Sequence, residues 1–285
     1  MNQVKGILIP IGGNEDKGEV NEDEGIDFIE EGILSHVVKE SGGPEANIII
    51  IPTASSIPDQ VGENYIEAFG KLGCTNIIVL NLTSREQCNA HYNLDLMTKA
   101  KCVMFSGGNQ SRITEIIANT ELHTLIATKF KTEDFVIAGT SAGAMAMANE
   151  MIAGGSSKES MLKGAVMLRK GLNLIPKLII DTHFIRRGRF GRLAEAIATY
   201  PKLIGIGLAE DTGLVIKNCN EFKVIGSGMV IVFDAGNLTH NTHEQLEEGT
   251  PMSISNLKTH ILANGDRFAL SERKISVLPQ HEAFV

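Results

Sequence analysis

Seven short apolar runs punctuate the first 210 residues: GILIPIG (6–12), NIIIIPT (47–53), NIIVLNL (76–82), KCVMFSG (101–107), FVIAGTS (135–141), KLIIDTH (177–183) and LIGIGLAE (203–210). They are β-branched and do not alternate with polar residues. A strand covered on both faces reads this way, whereas a strand with one wet face alternates. Segments with helical spacing fall between them, around 25–40, 61–72, 109–130, 142–152 and 190–199. The pattern predicts an α/β chain with a doubly wound, mostly parallel sheet covered on both faces, and a site at the carboxyl ends of its strands. From residue 213 the runs GLVIKN, EFKVIG and GMVIVFD are joined by tight turns, which predicts an antiparallel β extension over 213–285. No linker calls for a second domain, so 1–285 is read as one.

Composition narrows the function. The chain has 34 acidic against 26 basic residues, a formal net charge of -8, which argues against broad binding to nucleic acid or to an anionic membrane. No apolar run is long enough to span a bilayer, and MNQVKGILIPIGG lacks the apolar segment and cleavage site of a secretory signal, so a cytoplasmic location is expected. Cys74, Cys88, Cys102 and Cys219 show no CxxC pairing and read as reduced thiols.

The stretch FVIAGTSAGAMAMANE, residues 135–150, puts a hydroxyl at the sharpest turn of the chain. In Gly139-Thr140-Ser141-Ala142-Gly143 the glycines permit a tight strand-to-helix turn, with the helix N–H groups facing Ser141. Ser141 is therefore either a helix cap or a nucleophile. A serine nucleophile needs a base within hydrogen-bond reach and an acid to orient that base. Of eight histidines, His183 directly follows the run KLIID and should emerge at the same end of the sheet as Ser141. His36 and His123 fall in helical patterns, His91 in a polar segment, and His260 and His281 in the late β-rich part. His240 and His243 lack a third metal ligand, and no metal is called for. Glu210 and Asp211 end the run GIGLA, where either carboxylate could partner the histidine.

FSGGNQ, GTSAGA, DTHFIRRGRFGRL and GIGLAEDT, with IPIGGNEDK and IIPTASS nearer the start, resemble the cyanophycinases of the peptidase E-like serine peptidases. The resemblance spans most of the chain and implies a fold similar to class I glutamine amidotransferases. It maps a triad onto Ser141, His183 and Glu210, with Asp211 the second choice for the acid. It implies an oxyanion hole from Gly107, Gly108 and the backbone N–H of Ala142, and a substrate pocket from Gln110, Asp181, Thr182, Arg187, Arg189 and Arg192, in which Asp181 either holds an arginine of the pocket or meets the substrate's guanidinium. Arginine guanidinium groups suit bidentate capture of carboxylates, while Arg186 is expected to be a solvated surface charge. Thr182 stands where the family usually has glutamine, and Asn14 where it often has glycine or alanine, a change expected to bear on loop packing alone.

The implied activity is that of a serine exopeptidase releasing β-Asp-Arg from cyanophycin, a polyaspartate whose side chains carry arginine. No cofactor is required, and the family implies a homodimer. A related dipeptidase acting on aspartyl or isoaspartyl peptides is the alternative within the enzyme class. A non-catalytic module holding an anionic peptide is the alternative outside it. GGNQSRITE as a phosphate cradle lacks both GxGxxG and the P-loop lysine.

Overall fold

A computed structural model describes residues 4–18, 27–155 and 161–277. Strand and helix alternate through the first half: β1 (Ile7–Ile11), α1 (Ile33–Glu40), β2 (Ile48–Ile51), α2 (Pro58–Lys71), β3 (Ile77–Val79), α3 (Arg85–Cys88), α4 (His91–Lys99), β4 (Cys102–Phe105), α5 (Gln110–Ile117), α6 (Glu121–Thr132), β5 (Val136–Thr140) and α7 (Ala142–Ala146). The second half is dominated by strands: β6 (Glu150–Gly155), β7 (Val166–Lys170), β8 (Leu178–Asp181), then α8 (Phe190–Thr199), β9 (Ile204–Leu208), β10 (Thr212–Lys217), β11 (Glu221–Gly226) and β12 (Val230–Asp234). The last strands are short: β13 (His240–Asn241), β14 (Ile254–Ser255), β15 (Lys258–Leu262), β16 (Arg267–Ala269) and β17 (Lys274–Ser276).

All seven apolar runs are strands. In the large sheet, ordered β17-β16-β11-β10-β1-β5-β4-β2-β3, the five from β1 to β3 are parallel to one another. Successive residues of these strands feed opposite cores. Ile48 and Ile50 pack with α1 and α2 through Leu34, Val37 and Phe69, while Ile49 and Ile51 pack with Ile113, Ile117 and Ile126 of α5 and α6. Each fully buried isoleucine contributes roughly 1.5–3 kcal/mol, so both faces reward an unbroken apolar run. Pro10 in β1 has no N–H to give, and the antiparallel ladder to β10 is interrupted at Ile9 and Pro10.

One expectation is corrected. The strands that deliver His183 and Glu210 do not extend the large sheet. The position beside β1 is occupied by antiparallel β10, so β8 and β9 pair in parallel with each other in a second sheet, β15-β12-β9-β8. The antiparallel C-terminal extension accordingly divides, β10 and β11 joining the large sheet and β12 the second. Helix α7 touches β1, β4 and β5 of the large sheet and β8 of the second, and a single apolar core runs through both. Ser141 thus reaches its partners across two sheets rather than along one.

The helical segment expected over 109–130 splits, because Asn119 takes a left-handed conformation and Thr120 caps α6 by accepting from the N–H of His123. That expected over 142–152 stops at Ala146, and β6 begins at Glu150. The segment around 25–40 yields α1 from Ile33, with residues 25 and 26 outside the described part. His281 also lies outside it.

Candidate active site

Ser141 begins α7 with φ 51° and ψ −109°, a conformation that costs a residue with a Cβ about 1–3 kcal/mol. Close packing makes the turn possible: a Cβ on Gly143 would lie 2.5 Å from the Phe105 carbonyl oxygen. The backbone N–H of Ser141 donates to Ile11 O at 2.9 Å. Its side chain makes no cap bond to the helix. Instead Ser141 Oγ stands 2.9 Å from Nε2 of His183, so the cap reading of this serine falls away.

His183 follows β8 and is itself left-handed, with φ 48°. Its N–H donates to Gly12 O at 2.8 Å. Its ring lies so close to Gly13 that a Cβ there would sit 2.3 Å from Cε1. Nδ1 meets Glu210 Oε1 at 2.7 Å, which fixes Nδ1 as the protonated nitrogen and leaves Nε2 to accept. Burial pushes the His183 pKa down, as do the charges of Arg187 and Arg189, against the upward pull of Glu210. The net shift is downward, so the imidazole is neutral at pH 7.

Glu210 follows β9. Burial alone would raise its pKa, but hydrogen bonds from Arg186, His183 and Asn14 outweigh that and bring it to about 2. Asp211 is removed from contention. Its left-handed backbone carries the side chain away to accept from Asp16 N at 3.2 Å and from the Ser227 hydroxyl, while its own N–H donates to Gly13 O.

A cleft of about 370 Å³ opens over Ser141, and its lining includes His183, Gly107, Gly108, Thr140, Glu15, Lys17, Tyr65 and Arg187. A Cβ on Gly107 would come within 3.4 Å of the Ser141 Cβ, so that backbone lies against the nucleophile position.

Only part of the expected substrate set faces this cleft. Arg187 lines it. Asp181, Thr182 and Arg192 are buried, and Asp181 takes Arg192 Nε at 2.8 Å and Arg189 Nη1 at 3.1 Å. Arg189 also donates to Thr182 O at 2.7 Å. Asp181, Arg189 and Arg192 thus form a charged knot closed by the Thr182 carbonyl, with Asp181 holding two arginines, one of the two roles open to it from sequence; none of the four residues lines the cleft. The Gln110 amide donates to Ile152 O at 2.8 Å, tying α5 to β6.

Residues that the sequence reading passed over also belong here. Arg186, expected to be a bystander, donates to Glu210 Oε2 at 2.8 Å. Asn14, expected to affect packing alone, lines the cleft and helps to lower the pKa of the same carboxylate. The glycine pair directly after β1 was the signal for this loop, because a Cβ on Gly13 would strike the His183 imidazole and one on Gly12 the Ala209 carbonyl.

Peptidase family S51 matches residues 26–224, a span that contains all three members of this hydrogen-bonded chain. The chain belongs to peptidase family S51. As a member of that family it is a serine-type peptidase. This S51 peptidase is 36% identical over 275 residues to a cyanophycinase of Trichormus variabilis, covering 96% of this chain and 88% of the relative. It is 34% identical over 265 residues to a cyanophycinase of Geminocystis herdmanii, covering 93% and 94%. The crystal structure of a peptidase from an acI-B1 actinobacterium superposes with a TM-score of 0.63 at 18% identity, over 94% of this chain and 98% of that one, a likeness of fold. Among the described residues no helix is long and apolar enough to cross a membrane.

Proposed function

We propose that this S51 peptidase is a serine exopeptidase that hydrolyses cyanophycin to β-Asp-Arg dipeptides. The observation that carries the reading is the continuous chain Ser141 Oγ, His183, Glu210, with separations of 2.9 and 2.7 Å, behind a strained elbow. The name borne by the relatives supplies the substrate.

In this mechanism Ser141 Oγ attacks the scissile carbonyl as its proton passes to His183 Nε2, and the imidazolium then hands that proton to the leaving amine. Water repeats the sequence in reverse roles and frees Ser141. Glu210 holds Nδ1–H and stabilises the imidazolium, and Arg186 and Asn14 hold Glu210. The backbone N–H groups of Ala142 and of the Gly107-Gly108 turn serve the oxyanion, a contribution of about 2.7–4 kcal/mol per donor in such sites. Arg187 in the cleft takes a substrate carboxylate. The chemistry uses no metal or organic cofactor.

The test is incubation with purified cyanophycin and mass spectrometry of the soluble products. The expected product is β-Asp-Arg. Turnover of short isoaspartyl peptides with none of the polymer would replace the proposed substrate by dipeptides.

A further inference from the structure

The wall of the cleft contains a carboxylate that the Ser-His-Glu chain does not use. Glu15 is 4% exposed, and a buried charge is costly unless donors surround it. The Thr140 hydroxyl donates to its Oε2 at 2.5 Å, the Tyr65 hydroxyl to Oε1 at 2.5 Å, and the Lys17 ammonium to Oε1 at 2.8 Å. Lys17 in turn lies over the Tyr65 ring, 5.1 Å from its centre. Burial acts to raise the Glu15 pKa, but Lys17 and the hydroxyls overcome it, so the group is an anion at neutral pH.

One of those donors is the residue immediately before the nucleophile. We infer that Glu15 is a positioning residue for Ser141, gripping Thr140 so that the strained elbow keeps its Oγ on His183. The inference rests on the serine-peptidase reading above. A left-handed residue with a Cβ persists only where its surroundings over-determine it. Here the Thr140-Ser141 unit is tied twice to one segment of chain, by Ser141 N to Ile11 O at 2.9 Å and by the Thr140 hydroxyl to Glu15. The same segment receives the His183 N–H at Gly12 O. Residues 11–15 therefore locate both nucleophile and base, although their strands β5 and β8 belong to different sheets. Tyr65 and Lys17 fix the carboxylate from its far side, so that Glu15 itself has little freedom to follow Thr140.

The experiment compares Thr140→Val, Thr140→Ser and Glu15→Gln with the unaltered chain in three readouts: labelling of Ser141 by a fluorophosphonate, kcat and KM on cyanophycin, and Tm. Losing the grip is expected to slow labelling and kcat together, on the order of 10²-fold for a displacement near 1 Å. KM should stay within about twofold, since Arg187, the cleft residue assigned to the substrate carboxylate, is unaltered. Thr140→Ser keeps the hydroxyl and should restore both rates. Should Thr140→Val fail to fold, Glu15→Gln carries the same comparison. Labelling at the unaltered rate in Thr140→Val or Glu15→Gln overturns the role of Glu15, as does a folded Thr140→Ser that rescues nothing or a loss confined to KM. An unaltered chain that takes no label at Ser141 fails at the earlier step and overturns the serine reading itself.

Discussion

Asp181 closes β8 and Glu210 stands two residues beyond the same end of the adjacent parallel strand β9, and both are met by arginines, yet the two carboxylates live in opposite surroundings. The Asp181 side chain is 0% exposed and Arg192 is 5% exposed. Arg189 completes the knot, its own pKa pushed down by burial to about 10 in spite of Asp181, so it remains a cation. Such a group is a structural commitment: removing one partner leaves a buried charge uncompensated. The Glu210 side chain is 21% exposed, and its Arg186 partner is 71% exposed, where an ion pair contributes little to stability. The buried carboxylate holds the chain that presents His183, while the half-open one holds the proton of His183. On the proposed mechanism, similar residues beside one histidine thus separate into scaffold and chemistry by their access to water.

Glu210→Gln tests the chemical side of this division and has the largest expected effect. Without a carboxylate to hold Nδ1–H and stabilise the imidazolium, kcat should fall by about 10³–10⁴-fold, with Tm nearly unchanged. A large loss of Tm would erase the distinction between the two carboxylates. Asp181→Asn tests the scaffold side. It should destabilise the fold by about 3–5 kcal/mol, because Arg192 and Arg189 are left buried without a counter-charge. Denaturant unfolding checks this, and an unchanged midpoint would break the comparison.

Arg187→Lys follows in size. It keeps the charge in the cleft but loses the planar two-bond fork, and kcat/KM on cyanophycin should fall by about 1.5–3 kcal/mol in transition-state terms. Arg186→Lys retains a cation at an exposed pair and should stay within about threefold of the unaltered rate. Similar losses at both positions would reduce Arg187 to one more charge on the rim.

The pH profile gives the subtlest test. In the proposed mechanism His183 must be neutral to accept the Ser141 proton, and its pKa is lowered by burial and by Arg187 and Arg189 more than Glu210 raises it. Activity should therefore be lost as pH falls through a value below the ordinary 6.5 of histidine. Since the contact with Glu210 raises the His183 pKa, the residual activity of Glu210→Gln should persist to still lower pH. An acid limb above 6.5 would place the titration on another group.

The central strands were legible because burial on both faces writes itself into the chain as runs such as Ile48–Ile51. The place of Ser141 at a strand-to-helix turn was legible from its flanking glycines, while the choice between cap and His183 partner needed the fold. Sheet membership was not, since Leu178–Asp181 reads identically whether it pairs with β1 or with β9. The same limit applies to Ala142–Ala146, whose apolar continuation cannot announce where helix yields to β6. Among the arginines a run of charge looks solvated from sequence, and only the fold shows that α8 turns Arg192 inward onto Asp181. Between Glu210 and Asp211 the decision lies in a left-handed φ of 45° at Asp211, which aspartate adopts without any pattern to mark it.

The measurement that bears most directly on a reaction passing through Ser141 is titration with a fluorophosphonate, following adduct mass, adduct position and cyanophycin hydrolysis on the same samples. We expect one adduct per chain, mapped to Ser141, with hydrolysis falling in proportion to labelling and with no adduct in His183→Ala under the same conditions. Hydrolysis that survives full modification of Ser141 would contradict the assignment.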